Sequence, residues 1–443
     1  MVPRADGANV GGWPRATFAV ALGGCLIIAA YLVWRTAVLQ PYSDMFDWIA
    51  RYYRFRADGD LAGYLLAPHN FHRIVWTFLA LDLDIRLFGA VGVLPIAVAL
   101  ACLAVTAAIL ASVAADAAGT GFRLVGGGLA AALSTMGCHI LDVSLHITTP
   151  YLHGLVFGVA AIALGEPAAT SAAGLGRRAA ALVCAAAAGL GIAGGLAVWL
   201  VLAFGAWRRR DWPWLMTVAA AGAVFCALYA SGQPTPPNPG HGGHGLSALG
   251  DAVALGLNYL GLPWTRGAPA LGWLLGLVVL ALGLAAIALR GRAGATRPER
   301  VATQLILLSL GVAALTVIGR TGLEAPRDVP MRYAVFMIPL HAGLCILALP
   351  AARRLWIARP KLGAAAVYAL SALMVSNQVL MAVFAIRTAD INRQVVAAFR
   401  AGATTPQMEV IYADLSAARA IEDRLRCDGF FQFEVKPPGQ RTG

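Results

Sequence analysis

Long apolar runs alternate along the chain with short polar segments, and this alternation is the strongest signal it carries. Apolar stretches fall at 16–38, 88–115, 124–145, 151–166, 178–190, 192–207, 213–231, 271–289, 301–319, 333–350 and 363–386. With a rise of about 1.5 Å per residue, most of these cross a hydrocarbon core of about 30 Å as α-helix. The pattern predicts an all-α polytopic membrane protein with about eleven transmembrane helices. Residues 178–207 read either as one long helix or as two short ones, because the glycines between Gly189 and Gly195 loosen the backbone at the middle.

Three polar segments are expected on one side of the membrane: residues 39–87, 232–270 and 319–332. Within the first, Phe46, Ile49 and Tyr53 share one helical stripe, while Asp47, Arg51 and Arg54 share another. That is the pattern of a helix lying at the membrane interface. Ser43 or Asp44 would cap it. A second stretch, Ile74 to Leu87, is too charged at Asp82, Asp84 and Arg86 to cross lipid, yet apolar enough to lie along it. The first loop therefore predicts two interfacial helices joined by "DGDLAGYLLAPHNFHR". Residues 1–386 read as one transmembrane domain, and residues 387–443 as a small exported tail with helical patterns near 389–402 and 406–426.

Composition agrees with the pattern. With 59% apolar residues, 13% charged and a mean hydropathy of +0.71, the chain lies far outside the soluble globular range. A net charge of +12 invites a nucleic-acid reading. The basic residues, however, form short clusters at membrane boundaries without interleaved stacking aromatics, so topology accounts for them and no nucleic-acid partner is expected. With a cytoplasmic N-terminus, the inner loops hold sixteen arginines and lysines and the outer loops nine, five of which share the first loop with six aspartates. This bias puts the three polar segments and the C-terminal tail outside. Six of the seven cysteines fall within spans, which leaves no disulfide framework or CxxC metal site. The apolar stretch from Ala16 is long enough to be a retained first span.

The acidic "YSDMFDW" just after the first span, the two interfacial helices, the number of spans and the outer Arg332–Tyr333 pair resemble the GT-C class of membrane glycosyltransferases. The likeness is to bacterial members that use polyprenyl-phosphate sugars, and it covers roughly the first 390 residues. "PHNFHR" is similar to a polar stretch of some of those relatives. The chain lacks the paired Asp-Glu of protein O-mannosyltransferases and the WWDxG-like signature of oligosaccharyltransferases. The resemblance implies a bacterial inner membrane location, a polyprenyl-phosphate sugar donor, and an acceptor hydroxyl on an envelope glycan, lipid or protein. In that class an acidic residue of the first outer loop binds a metal or the acceptor nucleophile.

The chemistry can be stated from the residues. A sugar on a lipid phosphate needs an acceptor hydroxyl made more nucleophilic and a phosphate stabilised as charge develops on it. Asp44, nearest the end of the first span, is the first choice for general base or for ligand to a divalent metal ion; Asp47 could assist it or merely pair with Arg51 at i+4. The planar guanidinium suits the phosphate, which points to Arg320 and Arg332 with Tyr333; Arg327 is assigned to headgroup snorkelling. His69, Asn70, His72 and Arg73 are expected to bind substrate, against a plain role in interfacial packing. For Asp44 the plain role is helix capping. His139, His146 and His153 recur every seven residues, but Pro150 interrupts the helix they would share. Asp142 fits the outer cavity and a plain boundary position equally well, and His241 and His244 fit a mobile loop. A transporter would bury ionisable groups at the midplane, whereas here they collect outside. A polysaccharide polymerase or ligase is the nearer alternative, though it would place its emphasis on a late outer loop.

Overall fold

The computed structural model describes residues 12–119, 122–143, 146–167, 174–233, 246–265, 271–290, 294–321, 329–401, 412 and 414–430. The described residues are helical throughout, with no sheet. The order begins with α1 (Gly12–Thr36), α2 (Met45–Asp58), α3 (Leu61–Leu66), α4 (Val75–Phe88), α5 (Val93–Ala118) and α6 (Arg123–Ser134). It continues with α7 (Gly137–Val143), α8 (Thr149–Gly165), α9 (Gly174–Gly189), α10 (Ala197–Arg208), α11 (Trp212–Ala230) and α12 (Leu246–Thr265). It closes with α13 (Gly272–Arg290), α14 (Arg297–Arg320), α15 (Ile338–Ala358), α16 (Pro360–Arg400) and α17 (Leu415–Cys427). Two 3₁₀ segments, Ala193–Leu196 and Met331–Met337, lead into α10 and α15.

Among the described residues, seven helices rather than eleven are long and apolar enough to cross a bilayer: α1, α5, α11, α13, α14, α15 with its 3₁₀ lead-in, and α16. The chain is a multi-pass membrane protein. Two further apolar elements, α8 and the Ala193–Arg208 segment, are shorter. The shortfall has local causes. The run at 124–145 is split into α6 and α7, and the exposed polar groups at the split are taken up by one buried side chain. Gln378 of α16 accepts from Gly137 N at 2.9 Å and donates to Thr135 O and Cys25 O at 3.1 and 3.2 Å. Such a break at membrane depth is tolerated only where protein satisfies the backbone.

Residues 178–207 form two helices, and the break between them decides the position of the first loop. The chain folds back so closely that a Cβ on Gly195 would sit 2.1 Å from Ala188 O, and one on Gly191 2.7 Å from Gly154 N. Only glycine fits there. Two carbonyls at the end of α9 are then claimed by α4: Val75 N donates to Leu190 O at 3.0 Å, and Trp76 Nε1 donates at 2.8 Å to Ala187 O, which also accepts from Gly191 N. The interfacial helix is thus fastened to a broken span.

The segment 232–270, expected as a loop, contains α12, which packs along α13. Their approach depends on small residues: a Cβ on Gly276 would meet Leu257 O at 1.8 Å, and one on Gly261 would meet Gly272 O at 2.3 Å. Close backbone contact of this kind replaces the hydrophobic driving force that lipid cannot supply. Residues lining the bundle's interior, such as Phe18, Leu152, Leu305 and Met337, are buried, while Val20, Ile27 and Leu200 stay exposed, as lipid-facing side chains should.

Above this bundle α2, α3 and α4 form a separate cap around Met45, Trp48, Tyr52, Tyr64 and Phe78. Instead of ending near residue 386, the last long helix α16 runs unbroken to Arg400, and Phe399 meets Phe46 of α2 edge-on at 6.5 Å. The helix α17 rests on the cap, with Leu425 fully buried and the Arg424 guanidinium 4.0 Å above the Tyr53 ring.

Candidate functional site

Asp44 occupies the N-cap position of α2, yet its carboxylate makes no capping hydrogen bond. Its Oδ2 lies 3.5 Å from His69 Nε2 instead, and Ser43 Oγ donates to Oδ1 at 3.5 Å. The side chain keeps 46% of its surface exposed. His69 holds the Asp44 carboxyl below the ordinary carboxylate range, with help from the positive field of Arg332. Asp44 is therefore ionised at neutral pH and only partly occupied.

The sequence "PHNFHR" builds the opposite wall. His69 and His72 exchange both backbone hydrogen bonds, at 2.7 and 2.8 Å, around a two-residue turn. Asn70 and Phe71 in that turn both have positive φ, at 46° and 66°, which is the type I′ geometry. Phenylalanine is a poor residue for that region and costs roughly 1–2 kcal/mol there. Residues paired across such a turn project on the same side, so both imidazoles face one cavity. Burial, together with the positive charges of Arg320 and Arg332, lowers the His72 pKa to about 4, so the ring is neutral.

That cavity, of about 630 Å³, is lined by Asp44, His69, Asn70, His72, Arg320, Arg332 and Tyr333 together. The 3₁₀ geometry of Met331–Met337 brings Tyr333 and Phe336, three apart, onto one side. Ser309 fixes the change from 3₁₀ to α: its Oγ donates to Phe336 O at 2.6 Å and accepts from Leu340 N at 3.0 Å. Arg332 Nε donates to Tyr151 Oη at 3.2 Å, and its guanidinium lies 5.5 Å from the Tyr333 ring, with that of Arg320 at 6.0 Å. The floor is aromatic, with Tyr151 and Tyr259 each tilted against Tyr333. One wall is apolar: Val312, Leu315 and Ile318 come from α14, and Ile318 is 78% exposed on the bundle surface. The polar cavity opens beside a lipid-facing flank.

Two expected site residues are placed elsewhere. Asp47 turns away from the cavity and accepts a hydrogen bond from Tyr412 Oη, so its i+3 spacing from Asp44 does not make a carboxylate pair. Arg73 is occupied by backbone: it donates to Tyr229 O at 3.2 Å and to the carbonyls of Leu66 and Ser231, which pins the hairpin to the end of α11. Arg51 has a similar role, reaching Gly63 O and Ala67 O at 2.6 and 2.7 Å rather than Asp47. The periodic histidines do not meet at a site either; His146 is buried against Val38 O at 2.5 Å. No three His, Cys, Asp or Glu residues among the described ones form a cluster able to hold a metal. The side chain of Asp142, together with His241, His244 and Arg327, lies outside the described residues.

Several lining residues carry no clear signal in the sequence. Tyr151 and Pro150 belong to a stretch notable only for interrupting a helix, and Ile192, Ala193 and Gly194 to one notable only for span number. The signal for the latter is its glycine density. Trp48 is a more consequential omission: its Nε1 is buried without a hydrogen-bond partner, on a residue that lines the cavity. No family model matches the chain, and neither a curated protein sequence nor a solved structure matches it with statistical significance.

Proposed function

We propose that the protein transfers a sugar from a polyprenyl-phosphate donor to a hydroxyl group of an envelope glycan, lipid or protein, at the outer face of a bacterial plasma membrane. The observation that carries this reading is the convergence of one ionised, half-exposed carboxylate with two guanidiniums in a cavity whose remaining wall opens toward lipid. A lipid-linked phosphate sugar has those three parts. Its prenyl chain would lie along the Leu315 and Ile318 flank, its phosphate against Arg320 and Arg332, and its sugar toward Asp44.

The reaction then follows from proton and charge. Asp44 accepts the proton of the acceptor hydroxyl as that oxygen forms a bond to the anomeric carbon. The bond from that carbon to the phosphate oxygen breaks, and the electron pair leaves with the phosphate. Arg320 and Arg332 stabilise the charge gained there, in a setting of fixed donors that need no reorganisation. His69 orients the carboxylate, and neutral His72 with Trp48 Nε1 offers hydrogen bonds to sugar hydroxyls. Asp44 is the residue that would hold a divalent ion, which would supply positive charge for the leaving phosphate; such ions often take only one or two carboxylates from the protein.

The test is transfer of radiolabelled sugar from polyprenyl-phosphate hexoses presented in vesicles with an envelope extract as acceptor. Wild type should form an alkali-stable glycosidic product, and Asp44→Asn should form none while remaining folded in the membrane. Movement of sugar across the vesicle without a new bond, or normal transfer by the Asn variant, would overturn the proposal.

A further inference from the structure

A second cavity, of about 820 Å³, lies at the opposite end of the bundle. The two share helices but not ends: α8 offers Pro150 and Tyr151 to the first cavity and ends at Glu166 in the second, while α14 offers Arg320 to the first and Arg300 to the second. Twenty helical residues put those two arginines roughly 30 Å apart. Around the second cavity stand Arg208, Arg209, Arg210 and Arg300, with Glu166 as the single carboxylate among the described residues.

Glu166 is fully buried and already committed. One oxygen takes Arg209 and the amide of Gln304, and the other takes Arg300 Nε at 2.7 Å. Two guanidiniums are therefore held in fixed positions by one negative charge, and Arg209 Nε is buried without an acceptor. Arg208 and Arg210 add two more positive charges and make no side-chain ion pair among the described residues. Ordinary snorkelling explains arginines near headgroups. It does not explain four that line one concavity, two of them fixed from behind.

The backbone adds an independent sign. The helix α10 ends in a Schellman motif, with Arg210 N donating to Trp207 O and Asp211 N to Ala206 O. The residue this motif puts in the left-handed region is usually glycine, yet here it is Arg210, at φ 56°. A Cβ in that region is strained, so the turn holds the Arg210 side chain at the cavity wall at a local cost. Trp207 and Trp212, both on the cavity wall and about half exposed, flank this turn as interfacial tryptophans do.

We infer that this cavity binds a phosphate group, carried either by the headgroup of an anionic lipid in the adjacent leaflet or by a soluble phosphate ester. Four guanidiniums against one carboxylate leave the site cationic, and the planar fork of arginine matches phosphate oxygens in pairs. This site is separate from the proposed transfer site and stands or falls without it.

The test uses the full chain in phosphatidylcholine nanodiscs, with thermal unfolding as the readout. One arm adds inorganic phosphate or glycerol 3-phosphate against chloride at equal ionic strength; the other replaces part of the phosphatidylcholine by phosphatidylglycerol. A rise in Tm in the lipid arm alone identifies a headgroup ligand, and a saturable rise in the soluble arm identifies a phosphate ester. The variant R208Q/R210Q should weaken binding about tenfold or more, the usual consequence of losing two charge-assisted hydrogen bonds. Because that variant could fold poorly, R210G provides the second check: glycine suits the local φ, so its unliganded Tm should equal or exceed wild type while binding weakens several-fold. The variant R54Q, on the exposed face of α2 and in neither cavity, should bind as wild type does. No rise in either arm, a rise matched by chloride, or unchanged binding in both R208Q/R210Q and R210G would overturn the inference.

Discussion

The two cavities use the same residue types to opposite ends. At one, the Glu166 side chain is 1% exposed and enclosed by Arg209, Arg300 and Gln304; at the other, the Asp44 side chain is 46% exposed and has one imidazole and one hydroxyl near it. A carboxylate with both oxygens engaged by two guanidiniums and an amide organises structure. One left half open in a cavity shared with two guanidiniums can accept a proton. The difference teaches that an acidic residue near arginines is read by how much of it remains free, a property of packing rather than of residue type.

The largest expected effects test that contrast directly. Asp44→Asn should lower transfer by about 10²–10⁴-fold, the range for a lost general base, with little change in Tm because the carboxylate supports no backbone group. Glu166→Gln should do the reverse, lowering stability by roughly 2–4 kcal/mol because two part-buried guanidiniums lose their buried counter-charge. Parallel transfer assays and thermal unfolding of both variants would measure this. If Asp44→Asn proved the more destabilising of the two, the contrast would fail.

A smaller effect concerns pH. The unfolded chain takes a proton at His72 near pH 6.5, while the folded chain does so only near 4, so stability is lost as pH falls through that window. The loss is up to roughly 3 kcal/mol at its lower end. His72→Gln should remove this share of the acid limb in urea unfolding measured between pH 7 and about 4, while buried His146 keeps its own share. Asp44, lowered by His69, adds a further loss only below the ordinary carboxylate range. Next comes Arg332→Gln, expected to raise the donor KM roughly 10- to 100-fold, as loss of a charged hydrogen bond would. The smallest effect is at Asp47: Asp47→Asn or Tyr412→Phe should change stability by about 1 kcal/mol or less and leave transfer unaltered, because that contact lies on the exposed side of the cap.

Part of the site is legible in the residue pattern itself. The polar cluster from Asp44 to His72 stands out against its surroundings, and Arg320 and Arg332 flank one short polar segment; seven expected residues line one cavity. What the pattern leaves open is direction. Asp47 lies one helical turn from Asp44, yet the tail residue Tyr412, far away in sequence, claims its carboxylate. Arg73 has the character of a substrate ligand, but three carbonyls from distant segments take its guanidinium. The polar segment 232–270 conceals α12, because Asp251, Asn258 and several glycines dilute its apolar pattern while those same glycines permit its close contact with α13.

From composition and periodicity alone, the chain must be helical and must lie in a membrane, since apolar runs of that length leave backbone groups no other means of satisfaction. The same reading locates the acidic, aromatic loop after the first span. Packing sets which apolar runs are continuous helices, because breaks at Thr135 and at Leu190 occur where Gln378 and α4 supply hydrogen bonds. It also decided which carboxylate stays available. Availability depends on groups brought from remote parts of the chain, and no local spacing encodes their arrival.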